Sequence, residues 1–578
     1  MDIYTATIAV SIAIYIAIGN YAGRGVKQLD DYYVAGRRAP TLIIVGTLVA
    51  SVMSSTLFLG EAGFAYDGQA GPYVLFPQAA ASGYVIGAIV FGRYLRRSRA
   101  TTVAEFFGKR FNSPRVQKMA GVTIIFALSL YLLVVTQGGA ILLSELTELT
   151  YMQSLVIAWL SYTTFTMYSG SRGVILTDTL MFLLFTIAGV AAAIFVISDF
   201  GGWPAIVTEL VTLEAKPGLM SWHGVVGKGT MWPTPVDYLI WAIIIDISWL
   251  CVYIVGPWQA GRHLMARDEH VVLRSSCITC LIVIALQVTI YAFGASINMA
   301  NPLIDPYERA TVWASLNLLP ELLGAMLLAG IVAAVLSSAS TFLSLVGFSV
   351  SNDVGLYPQQ DGPKKLRFTR WVMLLIGIVA LATALVVPPS IFLLTMFVAT
   401  VFASSWAAVG VMSIWSKKIT AAAAFWGMLA GLVFNVVPSI LKTVGLIYLP
   451  SYLDPALLGM VASLVVVLIV SSQTVVSQEE KEYLALLHQT PPKELDARKT
   501  RTSLIAPAIL ILMGVVTPLL QIRFYVLPYQ QATGTLAADG SLDWATGEVM
   551  LTLSWFVIYV SLGIFASKAI RKQYSPAT

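Results

Sequence analysis

The chain has 578 residues, 57% of them hydrophobic and 11% charged, with a mean hydropathy of +0.79. That composition excludes a soluble globular domain, and apolar runs of about 20 residues recurring from end to end mark a polytopic helical membrane protein. The net charge of +5 is spread through loops, which excludes a nucleic-acid partner; three cysteines exclude a disulfide framework, and four histidines without zinc spacing argue against a metalloenzyme.

Hydropathy predicts about fifteen spans: 3–22, 41–67, 72–95, 117–146, 151–168, 174–198, 236–257, 275–299, 321–350, 370–388, 390–416, 419–444, 455–475, 503–526 and 547–568. The first is apolar from Tyr4 to Ala22 with no basic residue before it, so it reads as a span and not as a cleavable signal. Residues 199–235 form a long outer loop with an interfacial part, 300–320 a second loop, 477–502 a charged linker and 528–546 a short polar loop. Cys277 and Cys280 form a C-x-x-C inside an apolar segment and read as packing.

Basic residues orient the chain. With the N-terminus outside, about 30 of the 35 Lys and Arg fall on inner loops, leaving Lys216, Lys228, Arg309, Lys442 and Arg523 outside. The odd number of spans then puts the C-terminus in the cytoplasm, as expected for a multi-pass protein of the cell membrane.

Two blocks of five spans, 41–198 and 236–416, necessarily have opposite orientations, the arrangement of inverted-repeat secondary transporters. Residues 1–40 precede them as an extra helix and loop; 417–476 add two helices, and 503–578 add two more and a tail. The first block opens on a span with Ser51, Ser54, Ser55 and Thr56 leading into Gly60-Glu61-Ala62-Gly63. An unwound segment there frees carbonyls for a cation, whereas a merely kinked helix uses small residues for packing. The second block's opening segment, 237–255, has no central Gly or Pro, so an interruption is less evident.

The segment Gly330–Asp353 carries Ser337, Ser338, Ser340, Thr341, Ser344, Ser349 and Ser351. Hydroxyls in a span either bond the carbonyl four residues back and pack against a neighbouring helix, or serve as ligands for a small hard cation. Three carboxylates, Glu61, Asp178 and Asp246, also fall within apolar spans, where each costs about 2.5–3.5 kcal/mol unless paired or functional. Arg172 is near enough in sequence to pair with Asp178, and Glu61 fits an outer vestibule. Asp246, in WAIIIDISW, has no such excuse and should face a cavity, holding a cationic group or a proton.

At these residues the chain resembles the sodium:solute symporter family, which includes proline, sialic acid, pantothenate and sugar symporters. The resemblance rests on DDYYVAGRR at 30–38, TTVAEFFGKRF at 101–111, SWLCVYIVGPWQAGRHLMA at 248–266, AAVLSS at 333–338 and Ser169-Gly170 followed by Thr177-Asp178. It covers most of residues 1–475. It implies an all-α leucine-transporter-type fold of five plus five inverted helices. It implies a sodium site formed by the carbonyls of Ala50, Met53 and Ala334 and the hydroxyls of Ser337 and Ser338. Asp178 matches an aspartate at the sodium exit or a second ion site. Trp249 and Tyr253 match substrate-bordering aromatics, and Ser54, Ser55, Thr56, Gln78, Asp246, Ser404, Ser405 and Trp406 complete the expected pocket. Leu250 and Val252 replace glycines commonly found between the two aromatics.

The expectation is a monomeric sodium-coupled symporter importing a small organic solute across the lipid bilayer, with Na+ as coupling ion. No nucleotide loop, triad or metal cluster points to an enzyme. Two alternatives are proton coupling through Glu61, Asp178 or Asp246, and a transporter-derived sensor or receptor.

Overall fold

The computed structural model describes residues 2–147, 149–355, 362–387 and 391–574, without the side chain of Gln78. Among the described residues every regular element is a helix, and strand-like pairing is limited to one isolated bridge, Ala39 with Ala266. Twelve helices among the described residues are long and apolar enough to cross a bilayer, and the bent pair Thr56–Leu75 and Ala79–Ser98 meets that requirement jointly.

The difference from fifteen has local causes. The expected spans 151–168 and 174–198 form one element, Tyr151–Asp199, interrupted at Gly170 with φ 54° and ψ −150°. Its 49 residues would extend about 73 Å, more than twice the roughly 30 Å of hydrocarbon. A side chain at Gly170 would collide with the ring and carbonyl of Tyr32, so the interruption requires glycine. The expected span 41–67 is also divided: Thr41–Ala50 stops, and the chain becomes helical again from Thr56, in π-helical form through Glu61.

The second block opens on an interrupted span as well, but not within 237–255. Pro235–Val255 ends at Gly256, whose ψ is 136°, and Pro257–Met265 continues as a short helix. Pro257 disfavours helical geometry at the residue before it and lacks an N–H to donate backward, yet suits the first turn of a new helix. Arg262, counted above with an inner loop, therefore lies in this half-helix and is buried. The two interrupted spans are joined at their ends: Ala39 N–H donates to the Met265 carbonyl at 3.1 Å, and Arg267 N–H donates to the Ala39 carbonyl at 3.0 Å.

Ile3–Gly23 packs against Tyr151–Asp199, with Gly19 facing Phe165 and Gly23 facing Tyr168. The hydroxyl-rich helix Glu321–Phe348 lies at the centre; its most apolar stretch is 83% buried, the largest share of any span. The linker is folded onto the body: the Arg97 guanidinium pairs with Glu269 at 2.6 Å and donates to the Leu487 carbonyl at 2.8 Å. Ile505–Gln521 and Gly547–Tyr574 pack together and grip the end of Thr56–Leu75, where helix carbonyls lack internal partners. Trp555 Nε1 donates to the Leu75 carbonyl at 2.9 Å, and Gln521 Nε2 to that of Val74 at 3.2 Å.

Candidate functional site

Four elements meet at Asp178, whose side chain is fully buried. Its Oδ2 accepts from Thr47 Oγ1 at 2.5 Å and from Arg262 Nη2 at 3.5 Å; its Oδ1 accepts from Ser337 Oγ at 2.7 Å. Arg262 Nη2 also donates to Thr341 Oγ1, and Gln259 Nε2 donates to Ser51 Oγ at 3.3 Å. One carboxylate thus ties Thr41–Ala50 and the hydroxyl-rich helix to the second half-helix. The cation beside Asp178 is not Arg172, which donates to the Gly25 carbonyl at 2.6 Å. Proximity in sequence misled because the two residues, six apart on the helical segment after Gly170, project about 120° apart.

Of the five oxygens expected for sodium, one, Ser337 Oγ, belongs to this cluster through its bond to Asp178. Helix Thr41–Ala50 ends before residues 51–54, and among the described residues no hydrogen bond is directed at the carbonyls of Ala50 or Met53. Ser340, Ser344 and Ser351 donate to the carbonyls of Ser337, Ser340 and Gly347, so for these three the local backbone explains the hydroxyl. Ser338 differs. Its Oγ is buried without a partner, although Ala334, four residues earlier on the same face, offers the usual carbonyl. An unsatisfied buried hydroxyl costs about 1–3 kcal/mol, which a bound cation would offset. Ser55 Oγ, in the interruption, is likewise buried and unpartnered.

The second centre is a cavity lined by sixteen residues. Asp246, Trp249 and Tyr253 line it, as expected, and so does Glu61, which accepts from the Tyr291 hydroxyl. Asp246 sits eleven residues into its helix, about 16 Å from the helix start and so near half the hydrocarbon thickness. Its Oδ2 is buried and, among the described residues, has no hydrogen-bond partner. Trp249 Nε1 donates to Met396 Sδ at 3.4 Å, and Tyr253 stacks on Tyr84 at 4.3 Å.

Other expected pocket residues lie elsewhere. The Ser404 hydroxyl donates to the Ala456 carbonyl and that of Ser405 to Met428, while Trp406 is wedged against Phe107 and Phe402. Helix Ile391–Trp415 reaches the cavity at Met396; two turns later it is covered by Ala421–Thr443 and Pro455–Gln473. Ser54 accepts from the Thr56 N–H, and the Thr56 hydroxyl bonds Thr395, so this face of the interruption does not line the cavity. The Gln78 side chain lies outside the described residues. Sequence reasoning missed Tyr73, Trp241, Gln287 and Tyr291. For Trp241 a signal existed: Tyr238, Trp241, Ala242, Ile245, Trp249 and Tyr253 fall with Asp246 on one helical face.

Among the described residues no group of three or more His, Cys, Asp or Glu is placed to hold a metal ion, and Cys277 and Cys280 are free and buried. The sodium:solute symporter family model matches residues 32–431. The sodium/pantothenate symporter of Haemophilus influenzae is 23% identical over 412 residues, spanning 70% of this chain and 83% of that protein. The sodium/proline symporter of the same organism is 26% identical over 453 residues, spanning 73% and 86%. Among solved structures, a Na+-coupled sialic acid symporter in a substrate-bound outward-open state matches with a TM-score of 0.69 at 16% identity, covering 83% of this chain and 99% of its own; at that identity the likeness is one of fold.

Proposed function

The chain belongs to the sodium:solute symporter family, and we propose that it imports a small organic solute by alternating access, with sodium held by the carbonyls of Ala50, Met53 and Ala334 and the hydroxyls of Ser337 and Ser338. It is a multi-pass transporter and not an enzyme. The observation that carries the ion site is the buried, unpartnered Ser338 hydroxyl beside the Asp178 cluster. Uncharged oxygens suit a hard monovalent cation that must also leave again. Asp178 orients Ser337 by accepting its hydrogen bond and supplies negative charge behind the site, partly offset by Arg262.

In this reading blocks 41–198 and 236–416 are inverted repeats, each opening on an interrupted span, and the N-terminus faces outward in a monomer of the cell membrane. Sodium links the first interrupted span to the hydroxyl-rich helix and favours the solute-competent state. The potential contributes about 2.3 kcal/mol per charge per 100 mV, and the sodium gradient adds to it. The proton-coupled alternative retains one supporting observation, the unpaired Asp246. Solute accumulation in proteoliposomes separates the two. We expect it to require an inward sodium gradient at fixed pH; accumulation that follows a pH gradient without sodium would contradict the proposal.

A further inference from the structure

The cavity between the interrupted spans carries two acidic side chains that the protein does not answer with a base. Two of its lining residues, Glu61 and Asp246, are acids, and none of the rest is Lys, Arg or His. Glu61 at least receives the Tyr291 hydroxyl; Asp246 Oδ2 receives nothing. A carboxylate at this depth is held at a cost that a permanent protein partner would normally offset, as Arg262 does for Asp178. The missing partner therefore comes from outside.

The wall decides what kind of partner. Seven of the sixteen lining residues are aromatic, against 11% aromatics in the whole chain, among them Tyr73, Trp241, Trp249, Tyr253 and Tyr291. A small metal ion wants several oxygen ligands converging on one point, and among the described residues no group of three or more His, Cys, Asp or Glu is placed to hold one. A poorly hydrated organic ammonium is attracted both to the aromatic faces and to the carboxylate. An anionic solute would meet two acids and no basic group.

From this we infer that the transported solute is an organic cation, an amine or quaternary ammonium, whose charged head pairs with Asp246 and rests against Trp249 and Tyr253. The inference builds on the transport reading only in treating this cavity as the solute site.

The test uses full-length protein in detergent at constant ionic strength, with tetramethylammonium, choline and benzylamine as cationic probes and proline, pantothenate and glycerol as comparators. Binding is read by tryptophan fluorescence and by the shift in melting temperature. At least one cation should bind and the comparators should not. Asp246→Asn should weaken that binding at least tenfold, with Asp246→Glu retaining part of it. If Asp246→Asn fails to fold, Trp249→Leu, which should weaken the same cation severalfold, takes its place. Binding of none of the cations, preferential binding of proline or pantothenate, or equal cation affinity in a folded Asp246→Asn would overturn the inference. Sodium-driven uptake of a comparator would do so while leaving the symport reading intact; cation binding indifferent to sodium would instead remove the coupling and keep the solute class.

Discussion

Asp178 and Asp246 are both aspartates within membrane spans, and the protein treats them in opposite ways. Asp178 is met by a guanidinium and two hydroxyls from three other elements. Asp246 shares its cavity with a second acid and no cation. The first is a joint, with its charge answered by protein and its geometry fixed by residues that must stay together. The second, in the reading proposed above, is a receptor, left for something that arrives and departs. Hydropathy flags both equally; only the partners tell them apart.

Removing the partner of the joint should do the most damage. Arg262→Met leaves a buried carboxylate uncompensated and should cost about 3–5 kcal/mol, read as a fall in melting temperature of the solubilised protein. Asp178→Asn in that background should recover much of it; no recovery would mean that Arg262 stabilises by packing alone. Asp246→Asn should behave oppositely, leaving the melting temperature unchanged or raised, since it deletes a charge without a protein partner. A loss comparable to that of Arg262→Met would erase the distinction.

Ser337 and Ser338 repeat the contrast on a smaller scale. Ser337→Ala withdraws a donor from Asp178 and should cost about 1–3 kcal/mol of stability as well as sodium affinity. Ser338→Ala should leave stability in potassium unchanged or raised, since it deletes an unsatisfied hydroxyl, and weaken sodium binding.

Smaller effects are expected farther out. Trp555→Phe removes the donor to the Leu75 carbonyl and should destabilise by about 1 kcal/mol, with faster proteolysis of the last two helices. Lys216, in the loop before Pro235, donates to the Tyr66 carbonyl at 2.8 Å and to Asn298 at 2.9 Å, and burial lowers its pKa to about 8. Between that value and the ordinary 10.5 the unfolded chain binds more protons than the folded one, so Lys216 should make stability rise with pH across this window. Lys216→Gln should flatten the rise.

The sequence made some of this legible for identifiable reasons. The first interruption announces itself through Ser51–Thr56 and the glycines beyond, residue types that a plain lipid-facing helix does not use. The second was as plainly written, in Gly256-Pro257, but it falls where an apolar run ends, so the half-helix beyond it reads as loop and Arg262 as a surface charge. No local pattern could pair Arg262 with Asp178 across 84 residues. Asp246 stood out because charge is rare in such segments. Tyr73 and Tyr291 did not, because aromatics are common throughout this chain and only the folded structure gathers them. The hydroxyls at 404 and 405 misled for the reverse reason: polar residues in a span also serve helix contacts, and here they do.

The most direct measurement is a sodium titration of melting temperature at constant ionic strength, with potassium as replacement, comparing the native protein with Ser338→Ala. The account predicts a rise specific to sodium, a midpoint displaced about tenfold in the variant, equivalent to about 1.4 kcal/mol, and melting of the variant in potassium alone at or above that of the native protein. Superimposable sodium curves for the two proteins would contradict it.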